Sequence, residues 1–140
     1  GQRVEDDETM IVLDTHVLLW LCLDQKRISR PATAAITRAV SSGGLAIASI
    51  SLWEIGMMIA FGRLTTHGTP ENWLALLIVK SSVVVKELTP TVAVLSAQFP
   101  ENFPRDPADR LIAATARAEG LPLVTRDVKI RESSLLKTIW

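Results

Sequence analysis

Cysteine is nearly missing from this sequence, long apolar runs are missing altogether, and the charges cancel. One thiol, Cys22, stands among 140 residues. That excludes an internal disulfide framework and a thiolate zinc cluster. Cys22 lies in apolar sequence, so it reads as a buried structural thiol rather than a reactive one. The longest apolar stretches, residues 17–23 and 74–79, fall well short of the ~18–20 residues that cross a bilayer. Glu5, Asp6, Asp7 and Glu8 stand where a secretory leader would be basic and then apolar. A cytoplasmic protein with no membrane partner is expected. Formal charge is zero, but residues 1–9 hold four acids and one arginine, leaving 14 bases against 11 acids in the remainder. That balance neither requires nor excludes a nucleic-acid partner. No phosphate-binding glycine loop and no Gly-x-Ser-x-Gly is present.

What is present is apolar material in short, punctuated pieces. Hydrophobic residues make up 48% of the chain, enough for one buried core. Residues 10–13 read as a buried strand and 15–23 as a helix, with a turn at 24–27. Pro31 suits a helix start, residues 32–40 are rich in helix formers, and Ser41-Ser42-Gly43-Gly44 stops them. A strand at 45–48 precedes a helix at 51–61 closed by Gly62. Thr69 caps a helix with Pro70 at its first position, and residues 83–85 form a β-branched strand. Residues 90–99 read as a helix, and Asp106-Pro107 starts another that ends at Gly120. A fourth strand at 121–125 and a short last strand within 135–140 follow. Strands alternating with helices predict an α/β fold, its mainly parallel sheet covered on both faces. Residues 1–9 read as a disordered tail and residues 10–140 as one domain.

The acids stand at telling places in this scheme. Asp14 interrupts apolar sequence, where an unpaired carboxylate costs several kcal/mol to desolvate. In open parallel sheets, ligands bind beyond the carboxyl ends of the strands near the switch in strand order. Asp14 follows the first strand there and Asp127 follows the fourth. Glu54 and Asp109 lie in first turns of helices that lead to the same edge. Oxygen ligands without cysteine suit Mg²⁺ or Mn²⁺, which activate water for phosphodiester displacement. Each acid also has a plainer reading. Ser51 and Glu54 fit a capping box, Asp106 fits an N-cap, Asp109 suits the helix dipole, and Asp127 suits a turn. Arg105, Arg110, Arg126 and Arg131 flank the acids and suit phosphate groups; the alternative is that Arg110 pairs internally and the others are solvated. His16 reads as a packing or hydrogen-bonding residue. Trp20, Trp53 and Trp73 read as core or interface residues.

Leu13-Asp14-Thr15, Ser51-Leu-Trp-Glu54-Ile, Asp106-Pro-Ala-Asp109-Arg110-Leu-Ile-Ala and Leu123-Val-Thr125-Arg-Asp127 together resemble a PIN domain. The short length and the Asp-Pro-x-Asp-Arg form resemble the VapC-type toxins of toxin–antitoxin pairs. The resemblance spans residues 10–140. It implies a three-layer α/β/α sandwich and a Mg²⁺- or Mn²⁺-dependent endoribonuclease. Asp14, Glu54, Asp109 and Asp127 match the catalytic, metal-holding acids. Thr125 matches a hydroxyl that orients the last acid or a water, and Asp106 belongs to the subgroup motif. Ala108 departs from the aromatic common after the proline. The resemblance further implies a homodimer and a VapB-like antitoxin that blocks the groove. Two other readings stand beside it. One is a PIN-like scaffold that binds RNA or protein without cutting. The other is a receiver-like module, which would need an aspartate after the third strand, where this chain has Val83-Val-Val-Lys-Glu-Leu88.

Overall fold

The computed structural model describes residues 9–140. The expected tail, apart from exposed Thr9, lies outside the described residues. Five short strands form one sheet: β1 (Ile11–Leu13), β2 (Leu45–Ala48), β3 (Val84–Lys86), β4 (Leu123–Val124) and β5 (Thr138–Ile139). Their spatial order is β3-β2-β1-β4-β5. Every neighbouring pair is parallel, so the sheet is wholly rather than mainly so. The chain builds outward from β1 to one edge, then returns to β1 and builds toward the other. The switch point therefore falls between β1 and β4.

Side-chain alternation sorts the layers. Ile11, Leu13, Leu45, Ile47 and Val124 point to one face and Val12, Ala46, Ala48 and Leu123 to the other. The first face is covered by α1 (Thr15–Leu23), α2 (Arg30–Val40), α3 (Ile50–Ala60) and α4 (Pro70–Ser81). The second is covered by α5 (Pro90–Ser96), α6 (Pro107–Glu119) and α7 (Val128–Arg131). Alanines meet there: Ala46 and Ala48 of the sheet share a buried cluster with Ala113, Ala114 and Ala116 of α6. Small side chains on both sides permit close approach of helix and sheet.

Local chemistry sets the helix ends. Ser29, Thr69 and Thr89 accept the N–H groups of Ala32, Asn72 and Val92, each with a proline in the first two helical positions. In α2, Ala32, Ala35, Ile36 and Ala39 fall at helical spacing and are all buried. Gly120 closes α6 at φ +66°, where a side chain would be strained. Strand β4 is shorter than expected at its start because Leu121 N–H still bonds the Ala116 carbonyl and so finishes the helix. α5 ends at Ser96, earlier than expected. The loop after it is tied down by stacked, buried Phe99 and Phe103, with ring centres 4.2 Å apart.

Candidate active site

Asp14 occupies the N-cap position of α1 with an extended backbone, yet its side chain caps nothing. Its carboxylate is left for another partner. Thr125, buried at the end of β4, donates from Oγ1 to Asp14 Oδ2 at 2.7 Å. The same hydroxyl accepts the Asp127 N–H at 3.1 Å. Thr125 thus ties the ends of the two central strands together. Its hydroxyl grips the first acid's carboxylate but only the backbone of the last, where the sequence pointed to the last acid or a water.

Glu54 corrects a second expectation. Helix α3 starts at Ile50 with Ser49 as its cap residue, so Ser51 lies inside the helix and no capping box forms. Thr15 Oγ1 instead donates to Glu54 Oε1 at 2.5 Å, and the Thr15 and Ser51 hydroxyls meet at 2.7 Å. Both hydroxyl residues are fully buried. Asp106 does cap α6: its Oδ1 accepts the N–H groups of Ala108 at 2.8 Å and Asp109 at 3.3 Å. Asp127 also caps, its Oδ1 accepting from Ile130 N–H at 3.1 Å. Asp109, in the first turn of α6, makes no hydrogen bond through its carboxylate among the described residues.

Asp14, Glu54, Asp106, Asp109 and Asp127 all line one open cavity of ≈ 810 Å³ at the switch point. Among the described residues, no lysine or arginine pairs with any of the five; the ion pairs are Arg27–Asp24 and Lys86–Glu119. The carboxyls respond accordingly. Asp109 is pushed up to about 7, first by desolvation and then by Asp106, Asp14, Asp127 and Glu54. Desolvation also raises Asp14, against the lowering effect of the Thr125 hydrogen bond. Glu54 is raised by desolvation, and by the charges of Asp14 and Asp106, against its bond from Thr15. The cavity concentrates negative charge, and none of the five acids has an ion-pair partner among the described residues. An all-oxygen donor set of this sign fits a hard divalent cation. Among the described residues, though, no three donor groups are already drawn together as a ligand set.

The arginines divide. Arg126 lines the cavity, together with Arg27 and Arg63, which the sequence reading did not single out. Arg105 and Arg131 do not line it. Arg110 takes the internal alternative. Its guanidinium donates to the carbonyls of Pro104, Phe99 and Pro100 at 2.8, 3.1 and 3.2 Å, and so fastens the loop before α6. His16 is exposed on the cavity wall, its ring 5.9 Å from that of Trp20. Trp20 is a wall residue too and only partly buried, whereas Trp53 is 58% exposed. Cys22 is exposed rather than buried, and desolvation by its apolar neighbours raises its thiol. Sequence reasoning missed Thr15 and Ser51 as supports of Glu54. Their signal was a hydroxyl directly after Asp14 and another three residues before Glu54.

The fold and this cleft define a class: a doubly wound α/β protein with a carboxylate centre at the switch point of a parallel sheet. The profile of the PIN domain matches residues 11–134, and the chain belongs to that family. Its likeness within the family is to the VapC type. Ribonuclease VapC22 of Mycobacterium tuberculosis is 37% identical over 134 residues, covering 94% of this chain and 99% of the relative. VapBC2 from Rickettsia felis, solved bound to a DNA fragment from their promoter, has a TM-score of 0.70 at 18% identity over 93% of this chain and 97% of that one. VapBC-1 from nontypeable Haemophilus influenzae has a TM-score of 0.65 at 20% identity, over 93% and 96%. At such identities the two structures speak for the fold alone. No helix among the described residues is long and apolar enough to cross a membrane.

Proposed function

We propose that residues 10–140 form a Mg²⁺- or Mn²⁺-dependent endoribonuclease that acts in the cytoplasm as a toxin. A VapB-like antitoxin would neutralise it by covering the groove, and a second copy of the chain would complete a homodimer. The observation that carries the catalytic reading is the gathering of Asp14, Glu54, Asp109 and Asp127 in one cavity with no internal cation paired to them. The 37% identity to Ribonuclease VapC22 supports RNA as the substrate, and the VapC-type resemblance brings the antitoxin with it. Exposed Trp53 on α3 and Phe61 just after it supply apolar surface for a protein contact.

Asp14, Glu54, Asp109 and Asp127 would hold the ion, which when bound supplies an activated water and neutralises charge on the phosphate. The rest belongs to the chain. Thr125 fixes the rotamer of Asp14, and Thr15 fixes that of Glu54, so two carboxylates are aimed before substrate arrives. Asp106 spends one oxygen on the α6 cap and holds the turn that presents Asp109. Asp109, raised to about 7 and without a hydrogen bond to its carboxylate among the described residues, gains a charge partner from an arriving cation. Neither His16 nor His67 is required, since water is the nucleophile.

The test incubates purified protein with structured RNAs in Mg²⁺, in Mn²⁺ and in chelator. Cleavage is expected with either ion, and loss of it in chelator and in Asp14→Asn. Cleavage indifferent to both would refute the mechanism.

A further inference from the structure

Three arginines line the acid cavity without neutralising it, and two of them share one support. The guanidinium of Arg126 lies 5.8 Å from the ring centre of Trp20, and that of Arg27 lies 5.9 Å from it. Trp20 is in turn wedged by His16 at 5.9 Å and by Trp140 at 6.0 Å, both rings tilted against it. This arrangement is unexpected on electrostatic grounds. Arg126 sits between Thr125 and Asp127 in the chain and shares the cavity with six carboxylates, Asp24 among them, yet pairs with none of them within 4.0 Å. Arg27 makes one loose contact, 3.5 Å to exposed Asp24, an acid one helical step away.

Cation–π chemistry explains what such a placement achieves. A guanidinium over an indole uses its flat face and gains about 0.5–1 kcal/mol when exposed. Its five N–H donors lie in the plane and stay available at the edge. Arginines held over the ring therefore keep donors free for a phosphate, and neither pairs with Asp14, Glu54, Asp106, Asp109 or Asp127. The cavity thus carries a cationic, aromatic cluster as well as its carboxylates. A polyanion could not enter a wall of carboxylates alone; it needs such a counter-wall.

We propose that Arg27 and Arg126, held over the Trp20 ring, form a phosphate-gripping wall that binds the RNA backbone beside the bond to be cut, with Trp20 as the positioning residue. Arg63, exposed on the same cavity, extends that wall. The inference rests on the nuclease reading for its substrate. It assigns roles to Trp20, Arg27 and Arg63 that the acid site does not include. Phosphate contacts of this kind position a strand without reading its sequence.

The experiment measures binding of a labelled single-stranded RNA by fluorescence anisotropy across about 50–200 mM salt. The full chain carries Asp14→Asn throughout, so that the RNA stays whole. Each phosphate contact on a single strand adds ~0.7 to the slope of log affinity against log salt. Arg27→Gln with Arg126→Gln should lower the slope by ~1.4. Each substitution should weaken Kd about tenfold. Trp20→Leu keeps both charges but should lose part of the slope, and Trp20→Phe should restore it. Arg38→Gln, remote on α2, should change nothing. In the active chain the arginine variants should raise KM with kcat nearly kept. Unfolding curves identify any variant that fails to fold; the Phe-for-Leu comparison then carries the decision. A slope unchanged in the folded double variant, or a loss confined to kcat, overturns the wall. So does weakened binding of polyglutamate with RNA binding intact, which would make the wall a docking site for an acidic protein segment. RNA bound with the expected slope but never cut by the active chain would leave the wall standing and refute the nuclease reading.

Discussion

Asp109 should weaken the fold of the metal-free protein at neutral and alkaline pH, and Asp109→Asn should relieve it. Its carboxyl rises from 3.8 to about 7 in the folded state. A rise of that size corresponds to about 4 kcal/mol at full strength. The group is partly open to solvent, and screening cuts the figure to about 2 kcal/mol. The α6 dipole acts in the opposite sense by about 0.3–1 kcal/mol. Desolvation and repulsion therefore win, and the net gain from Asp109→Asn is about 1–2 kcal/mol. The sign follows from proton counting. Between pH 4 and 7 the folded state keeps a proton that the unfolded state has released, so stability falls as pH rises across that window. The penalty is absent below the unfolded value and complete above the folded one. Urea unfolding of parent and Asp109→Asn in chelator should coincide near pH 4 and separate above pH 7. In a thermal scan the separation should be about 2–8 °C. Saturating Mg²⁺ should stabilise the parent by about 2.7 kcal/mol at a hundredfold excess over its Kd, and the variant by less. Asp109→Asn less stable than the parent at pH 8, or more stable by the same amount at pH 4, would refute the argument.

Thr125→Val keeps the volume of a fully buried residue but strips Asp14 and the Asp127 N–H of their partner. It should cost about 1–3 kcal/mol in urea unfolding and lower kcat more than KM in RNA cleavage. Arg110→Met leaves three carbonyls without their donor and should cost about 2–3 kcal/mol, while the salt slope of RNA binding stays put. A fallen slope with stability intact would restore Arg110 as a phosphate contact. Asp106→Ala should cost about 1 kcal/mol through the lost cap, whereas Asp106→Asn should keep the cap. Equal losses in the two, measured by thermal unfolding, would show that the charge and not the cap matters there.

The sheet and the acid edge were legible because their signals are redundant. Alternation of β-rich pieces with helices, prolines and caps at helix starts, and apolar residues leading into Asp14 all point to one arrangement. The strand order then places Asp14 and Asp127 at the switch point. Strand ends were less legible. Leu121 and Thr125 are as apolar or buried as their neighbours, and only hydrogen bonding decides whether they belong to helix, strand or site. Glu54 shows the same limit from the other side. Ser51 and Glu54 have capping-box spacing, but α3 begins at Ile50, outside the motif, and a hydroxyl 39 residues away takes the carboxylate instead.

Helix α1 explains the remaining error, on Cys22, and the half-buried place of Trp20. Beyond His16 its residues, Val17 to Leu23, are apolar on every face, so helical periodicity cannot say which of them point inward. The sheet decides. Val17, Leu18 and Leu19 are buried against it, leaving Cys22 and Leu23 in the open and Trp20 half out beside the acids. An uncompensated apolar face is costly unless something covers it. At Trp20 the cover comes from Arg27, one turn beyond the helix, and from Arg126, a hundred residues on. Neither arginine reveals this partner by its local sequence, because both sit in polar turns where a solvated side chain is the ordinary expectation. The indole makes a wall of them. A helix too apolar for its surroundings can thus set the position of cations beside an acid pocket without pairing them to Asp14, Glu54, Asp106, Asp109 or Asp127.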